Sequence, residues 1–562
     1  MPEKAFNLLD EPWIVTLRPD GKMVEVSLLD VFRDSHLYRG LAGELPTQDV
    51  ALLRLLLAIL YGVFTRYAPD GSFLPLCTEA EPAPSQEDAK RRWRELWRMG
   101  VFPIPVIERY LRRYQERFYL FHPHTPFYQV ACNPTVTCTD GTRINPSAKE
   151  VGYFIGDLAE AGNKTRLFAA RRQKGGLLYA EAARWLVHLL SFDVAPGGRP
   201  ASTGVTVKGY GLPWPSRLGL VWASGENLFQ TLMLNLQLSV MEGNGDLDIA
   251  WEHESKCDGE TLLKTEVVFP RHLAGLYSTQ FRRVQLERDH TEKRVTRCII
   301  WSGLSVEDTN ASLENMTLWK NREISKDVLQ TVPRRHDPSR QVWRDLSALL
   351  PSVDSSDQAP GIVKWINEVQ YKQTLNMPMV QLNTAGSEYS KNTSLSNVFS
   401  DSLRVNRALL SELGKAWVTN INQEVAVTDL LVKQVRNLAR SLAIAEGNTE
   451  PRSYQQQADA AAQQAYFLLD EPFRRWLETI NPETDEMANA MNTWWNTAQL
   501  IIRDYGKTLV AQVGVKAYVG HKLKLYKNDE ERLYVAPKAY QTFVQHTSNR
   551  EALKGKEGRD RK

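Results

Sequence analysis

From Trp13 to Val26 apolar and polar positions alternate on either side of Pro19-Asp20-Gly21, which predicts two strands joined by a tight turn. The period then changes. Leu52, Leu55, Leu56, Ile59 and Leu60 recur at helical spacing behind Thr47, predicting a helix from Asp49 to about Tyr67 with that threonine as its cap. Residues 69–88, rich in Pro, Gly, Ser and Glu, predict a loop. Arg91 to Met99 predicts a charged helix whose Trp93 and Trp97, four apart, serve as core anchors. Ala180 to Leu190 predicts a helix with Trp185 and Leu189 on one face, and 195–217 a row of turns dense in glycine and proline. Strand-like runs recur at 263–269 and 276–286, and 339–349 and 361–370 are helical in pattern.

Beyond about residue 400 glycine and proline thin out and four long amphipathic segments follow. They are Leu403–Ile421, a segment from cap Thr428 to Ala445, Tyr454–Ile480 with a break expected near Asp470–Pro472, and a segment from Asn481-Pro482 to about Val513. Trp417 and Trp495 are expected in their core. Segments of this length with short connections predict an antiparallel bundle. The fold class is therefore α+β: a large mixed α/β N-terminal domain over 1–400, a C-terminal four-helix bundle over 401–515, and a basic, partly disordered tail over 516–562.

The composition is that of an ordinary globular protein, 43% hydrophobic and 24% charged over 562 residues. With 69 Lys and Arg against 66 Asp and Glu, a wholly basic nucleic-acid binder is excluded, though local basic patches are not. Five cysteines, without a CxxC pair, point to a reducing cytoplasm rather than a disulfide framework or a zinc ribbon. Asp10 and Glu11 interrupt the early apolar run, so no signal peptide is expected. The most apolar stretch, Val50–Phe64, contains Arg54 and falls short of the ~20 residues a bilayer needs, which predicts a buried helix and no membrane partner.

The nucleotide-binding, zinc-protease and nucleophile-elbow patterns GxxxxGK[ST], GxGxxG, HExxH and GxSxG are missing from the sequence. His122-Pro123-His124 puts two imidazoles two residues apart, as at the start of a metal site, but Pro123 and Pro126 and the lack of companion histidine spacing favour a rigid loop. His336-Asp337 resembles half of a metal-dependent phosphohydrolase pair and keeps open an enzyme reading, phosphohydrolase or RNA-processing, with Pro338 arguing for a turn instead. The charge pattern says more. Nine Lys and Arg stand against Glu181 and Asp193 between Asn163 and Arg217, much of it in glycine-rich sequence where backbone N–H groups and cations can follow phosphates. A second, more balanced basic stretch runs from Arg271 to Arg297. Residues 384–397, TAGSEYSKNTSLSN, predict by composition a loop, either a linker or one small enough to enter a narrow groove.

These segments together resemble the CasA family, the large subunit of the type I-E CRISPR Cascade surveillance complex. The resemblance runs in order through FNLLDEPWI at 6–14, ELPTQDVALLRLLLAIL at 44–60, HPHTPFYQV at 122–130, GNKTRLF at 162–168, APGG at 195–198, LYSTQFRRVQL at 276–286 and WRDLSALL at 343–350. It implies a binding subunit rather than an enzyme; some members of the family carry a cysteine-rich metal site, which the cysteines here do not support, so neither metal nor cofactor is expected. Its partners would be the other Cascade subunits, the 5′ handle of the CRISPR RNA, double-stranded target DNA and a separate helicase–nuclease. The family recognises a protospacer-adjacent motif (PAM) largely from the minor groove and helps open the duplex. By the same resemblance Asn163, Phe168, Arg171, Arg172 and Lys174 belong to a loop that reaches the RNA handle and a neighbouring subunit. Gly197 and Gly198 match a glycine loop against the PAM, Arg282 and Arg283 a basic side chain in the minor groove, and Lys391, Asn392 and Thr393 a wedge at the first base pairs. A scaffold without DNA contact of its own remains the other alternative.

Overall fold

The computed structural model describes the chain except residues 1–3, 78–84, 132–135, 138–142, 145–148, 151–175, 194–210, 240–246, 255–264, 290, 326–327, 354–358, 371–376, 390–394, 525–530, 551–552 and 554–562. The chain forms two compact units. The first comprises Met1–Arg340, Asp357–Asn376 and Gln381–Ser402; the second Gln341–Ser356, Met377–Val380 and Leu403–Lys562.

In the first unit the N-terminal alternation folds as expected. Ile14–Leu17 pairs antiparallel with Met23–Val26, and Gly21 takes the left-handed conformation the turn requires, at φ +82°. The central helix, Pro46–Phe64, is apolar on all sides and buried, although it is long and apolar enough to cross a membrane. It starts earlier than predicted. Pro46 holds the first helical position and Thr47 is not the cap: its hydroxyl lies 3.0 Å from His188 Nε2 on the buried helix Tyr179–Phe192. Burial pulls His188 down to about 3, so the ring is neutral at physiological pH.

One cation sits inside this helix. Arg54 makes two 3.0 Å bonds to the carboxylate of Glu314, and both side chains are buried. Trp214 Nε1 donates to the same carboxylate at 3.0 Å, as does the Met316 backbone N–H at 3.1 Å. The Arg54 guanidinium also lies over the Tyr277 ring, 3.9 Å from its centre. The charged helix is Gln86–Met99, with Trp93 and Trp97 stacked at 5.1 Å and Trp93 Nε1 bonded to the Met233 carbonyl.

Two strand predictions are corrected. The run at 263–269 reduces to Glu266–Val267, and 276–286 divides into the end of helix Leu273–Ser278 and the start of strand Arg282–Asp289. Most of the expected loop at 384–397 is strand instead. Met379–Tyr389 pairs with both Leu220–Ser224 and Leu395–Asn406, leaving 390–394 between them. Its small polar residues are strand partners: Thr384 is buried and donates to the Asp401 carbonyl, and Gly386 lies where a Cβ would come within 2.6 Å of the Phe399 ring.

The second unit is built on helices Glu412–Ala445, Pro451–Thr479 and Met487–Ala511. The first two predicted segments are fused into one helix, and Leu403–Asn406 is strand. Thr428, read as a cap, is buried mid-helix; it donates to the Glu424 carbonyl and accepts the Trp494 indole N–H. Pro472 does not break its helix, because buried Leu469, Phe473, Trp476 and Leu477 hold both sides of it in the core. The WRDLSALL segment joins this core through Trp343, which stacks on Phe473 at 4.3 Å and donates to Asp470. The expected tail is folded well past residue 516. Hairpin His521–Leu523/Arg532–Tyr534 leads into helix Ala536–His546, which packs on the first and third long helices. Phe543 is buried against Gly506, where a Cβ would come within 2.2 Å of its ring, and Arg550 pairs with buried Glu424. A polar composition concealed these few anchors.

Two stability changes follow. Glu314→Gln leaves the buried Arg54 charge uncompensated and should destabilise the first unit by ~3–5 kcal/mol in chemical denaturation; a change below ~1 kcal/mol would contradict the central place given to the pair. Trp494 is buried whereas Trp495 is only half-buried, which corrects the expectation for Trp495. Trp494→Ala should therefore cost ~3–5 kcal/mol and Trp495→Ala distinctly less, and equal losses would refute the packing described.

Candidate nucleic-acid interface

A four-stranded sheet in the first unit organises the candidate residues. Arg282–Asp289 pairs antiparallel with Arg294–Ser302. On the other edge of Arg294–Ser302, Lys149–Glu150 pairs with Cys298 and Arg297, and Leu177–Leu178 pairs with Val295 and Arg294. The chain thus leaves for residues 151–175 and returns at neighbouring places on one strand. Gly176 secures the return: its φ is +77°, a Cβ there would lie 2.5 Å from the Val295 carbonyl oxygen, and Arg294 Nη1 donates to the Gly176 carbonyl at 2.9 Å. Asn163, Phe168, Arg171, Arg172 and Lys174 fall in this stretch, outside the described residues.

Gly197 and Gly198 also lie outside them, in 194–210, but both flanks are described. The helix Tyr179–Phe192 ends at Asp193, and the chain resumes at Gly211. Three side chains join the flanks. Arg282 donates from Nε to Asp193 Oδ2 at 2.6 Å and from Nη2 to the Gly211 carbonyl at 2.9 Å. Ser216 Oγ lies 2.9 Å from the Ser191 carbonyl, and Tyr389 donates its hydroxyl proton to the Phe192 carbonyl at 3.0 Å. Tyr389 Oη also lies 2.9 Å from Ser216 Oγ. Burial raises this phenol to about 12, which keeps its proton in place. Tyr389 immediately precedes 390–394, which holds Lys391, Asn392 and Thr393, again outside the described residues. The strand pair thus holds the ends of 151–175 near its turn, while Arg282 at its far end ties the flanks of 194–210, and Tyr389, from a separate sheet, brings 390–394 to those same flanks.

Arg282 and Arg283 do not extend into solvent as a groove-inserting side chain would. Both are buried, and as neighbours on a strand they point to opposite faces. Arg282 carries the bonds above and a third to the Phe281 carbonyl; Arg283 lies 3.7 Å from Glu266, whose side chain is half exposed. Two other cations of the basic cluster are structural. Arg184 is buried between Glu44 and Glu25, and Arg217 pairs with Asp308 and lies beside the Trp214 ring.

The enzyme candidates are held by local structure. His336 Nε2 lies 3.0 Å from the Leu220 carbonyl, and the Asp337 carboxylate accepts from the backbone N–H and hydroxyl of Ser339. His122 Nδ1 accepts from the backbone N–H groups of His124 and Thr125, making the rigid loop expected. Among the described residues no group of three His, Cys, Asp or Glu side chains is placed to hold a metal ion. Sequence reasoning missed Asp193, Ser216 and Tyr389, whose role depends on contacts far apart in the chain. Gly176 alone carried a local signal, as a glycine ending a basic run.

The family model for the CRISPR-associated protein Cse1 matches residues 7–505. A CRISPR-associated protein CasA/Cse1 of Thermus thermophilus is 30% identical over 354 residues, covering 62% of this chain and 61% of that relative's length. The crystal structure of Thermobifida fusca Cse1 superposes with a TM-score of 0.77 at 27% identity, over 98% of each chain. A chain from a structure titled CRISPR RNA-guided surveillance complex shares the fold, with a TM-score of 0.64 at 18% identity over 96% of this chain and 100% of that one. With the expected motifs in order and a match spanning most of its length, the chain belongs to the Cse1/CasA family of CRISPR-associated proteins.

Proposed function

We propose that this chain is the large, non-catalytic subunit of a type I-E CRISPR RNA-guided surveillance complex. In this reading it recognises the PAM on target duplex DNA, helps to start strand separation and offers the landing site for a separate helicase–nuclease. It works in the cytoplasm, without cofactor, alongside the other Cascade subunits. The three long helices of the second unit and Ala536–His546 are read as the family's C-terminal four-helix bundle. Family membership supports the assignment to the complex.

The observation that carries the DNA reading is that 194–210 and 390–394 leave the first unit at one place, where Arg282 and Tyr389 hold their flanks. Residues 151–175 leave from the other end of the same strand pair, opposite Arg294–Cys298. Asn163, Phe168, Arg171, Arg172 and Lys174 are assigned to the RNA handle and a neighbouring subunit. Gly197 and Gly198 are assigned to the PAM, and Lys391, Asn392 and Thr393 to the wedge. Between the two arginines, Arg283 is the better candidate for a groove contact, because it lies beside the half-exposed Glu266 whereas Arg282 is held by the mostly buried Asp193. The minor groove separates A·T from G·C and little else, so several related PAMs should be accepted.

The test uses the reconstituted complex and duplex targets with and without a PAM. Arg283→Ala should weaken binding to PAM targets by ~1–3 kcal/mol, the size of a specific base contact, and PAM-free DNA much less. Changing Lys391, Asn392 and Thr393 to alanine should slow duplex opening more than first capture, and a pre-opened bubble should rescue that variant alone. Equal loss of specific and non-specific binding in both variants would reduce these residues to phosphate holders and refute the assignment.

A further inference from the structure

Arg282 stands in sequence where a groove-reaching cation is expected, yet its side chain is 1% exposed. Its Nε, Nη1 and Nη2 are bonded to Asp193 Oδ2, the Phe281 carbonyl and the Gly211 carbonyl at 2.6, 2.8 and 2.9 Å. A guanidinium is a planar fork of donors, so three such bonds made together fix its orientation and the positions of all three partners. Two of the partners are the residues on either side of 194–210. Swinging Arg282 out to DNA would break two bonds to carbonyls and take the guanidinium from the mostly buried Asp193 carboxylate, a larger loss than one base contact returns.

We infer that Arg282 is a positioning residue, whose ion pair with Asp193 and bond to Gly211 clamp the two ends of the 194–210 segment together, and that it is not the side chain that enters the groove. This rests on the reading that Gly197 and Gly198 meet the PAM. The clamp does not stand alone. Ser216 and Tyr389 join Ser191 and Phe192 to the returning chain, and Tyr389 brings the start of 390–394 to the same place. The spacing of the segment's ends is thereby coupled to the base of the proposed wedge.

Two substitutions separate a clamp from a finger. Arg282→Lys keeps the charge but loses the fork; a finger tolerates it and a clamp does not. Asp193→Asn removes a negative charge and loosens its hold on Arg282; a finger should then bind DNA more tightly, and a clamp more weakly. The assembled complex is measured on targets with and without a PAM, and the free full-length chain by hydrogen exchange across residues 191–216. The clamp predicts that each variant weakens PAM targets roughly 10-fold while changing PAM-free DNA little, and that the double variant is no worse than either alone. It also predicts faster exchange in both variants. Tighter binding by Asp193→Asn, or unchanged exchange in both variants, would overturn it. If the wild-type complex ignores the PAM, the reading of Gly197 and Gly198 fails, and exchange alone decides the clamp: faster supports it, unchanged rejects it.

Discussion

A charge inside an apolar helix is tolerated only if it is matched, and in this chain the match organises the first unit. Burial works against the Arg54 cation, and the Glu314 carboxylate more than offsets it, so the guanidinium ends with a raised pKa and stays charged. The remaining capacity of Glu314 is taken up by the Trp214 indole and the Met316 backbone. Tyr277, beneath the guanidinium, bonds Asn315; Asn315 reaches Gln237, whose backbone N–H donates to Tyr61. Five separate parts of the chain, the helix carrying Arg54 and Tyr61 and the stretches at Trp214, Gln237, Tyr277 and Glu314–Met316, thus meet around one ion pair. One of them, Trp214, lies three residues beyond Gly211, so the pair also anchors the returning flank of 194–210.

From that anchor the route to the interface is short. Trp214 fixes the turn that holds Ser216, Ser216 meets Tyr389, and Arg282 closes the same flank from the neighbouring sheet. Each link is a hydrogen bond with at least one partner shielded from water, where an unpaired group is costly. In the proposed reading the arrangement separates two tasks: buried side chains set where the segments leave the fold, and residues within the segments meet nucleic acid.

The sequence made local features legible. Alternation located the N-terminal hairpin, Arg54 was visible as a lone charge in an apolar helix, and an ordered set of short motifs pointed to the family. What it could not reveal was pairing across distance. Glu314 is 260 residues from Arg54, and nothing in spacing links them. The same blindness made Thr47 and Thr428 look like helix caps when each satisfies a distant partner, His188 and Trp494. It made 384–397 look like a loop, because Thr384 and Tyr389 are polar by type yet bonded in place. Arg282 carried the right chemistry for DNA, but Asp193, 89 residues away, holds it.

The central claim is that segments rooted on the sheets of the first unit meet different nucleic acids, and site-specific photo-crosslinking measures it most directly. A photoreactive residue is placed in turn at Phe168, Gly198 and Asn392 of the reconstituted complex bound to guide RNA and target duplex. The account predicts RNA-handle crosslinks from Phe168 and PAM-side DNA crosslinks from Gly198 and Asn392, the latter two lost when the PAM is removed. Crosslinks from Gly198 and Asn392 that reach only RNA or neighbouring protein, with or without a PAM, would contradict it.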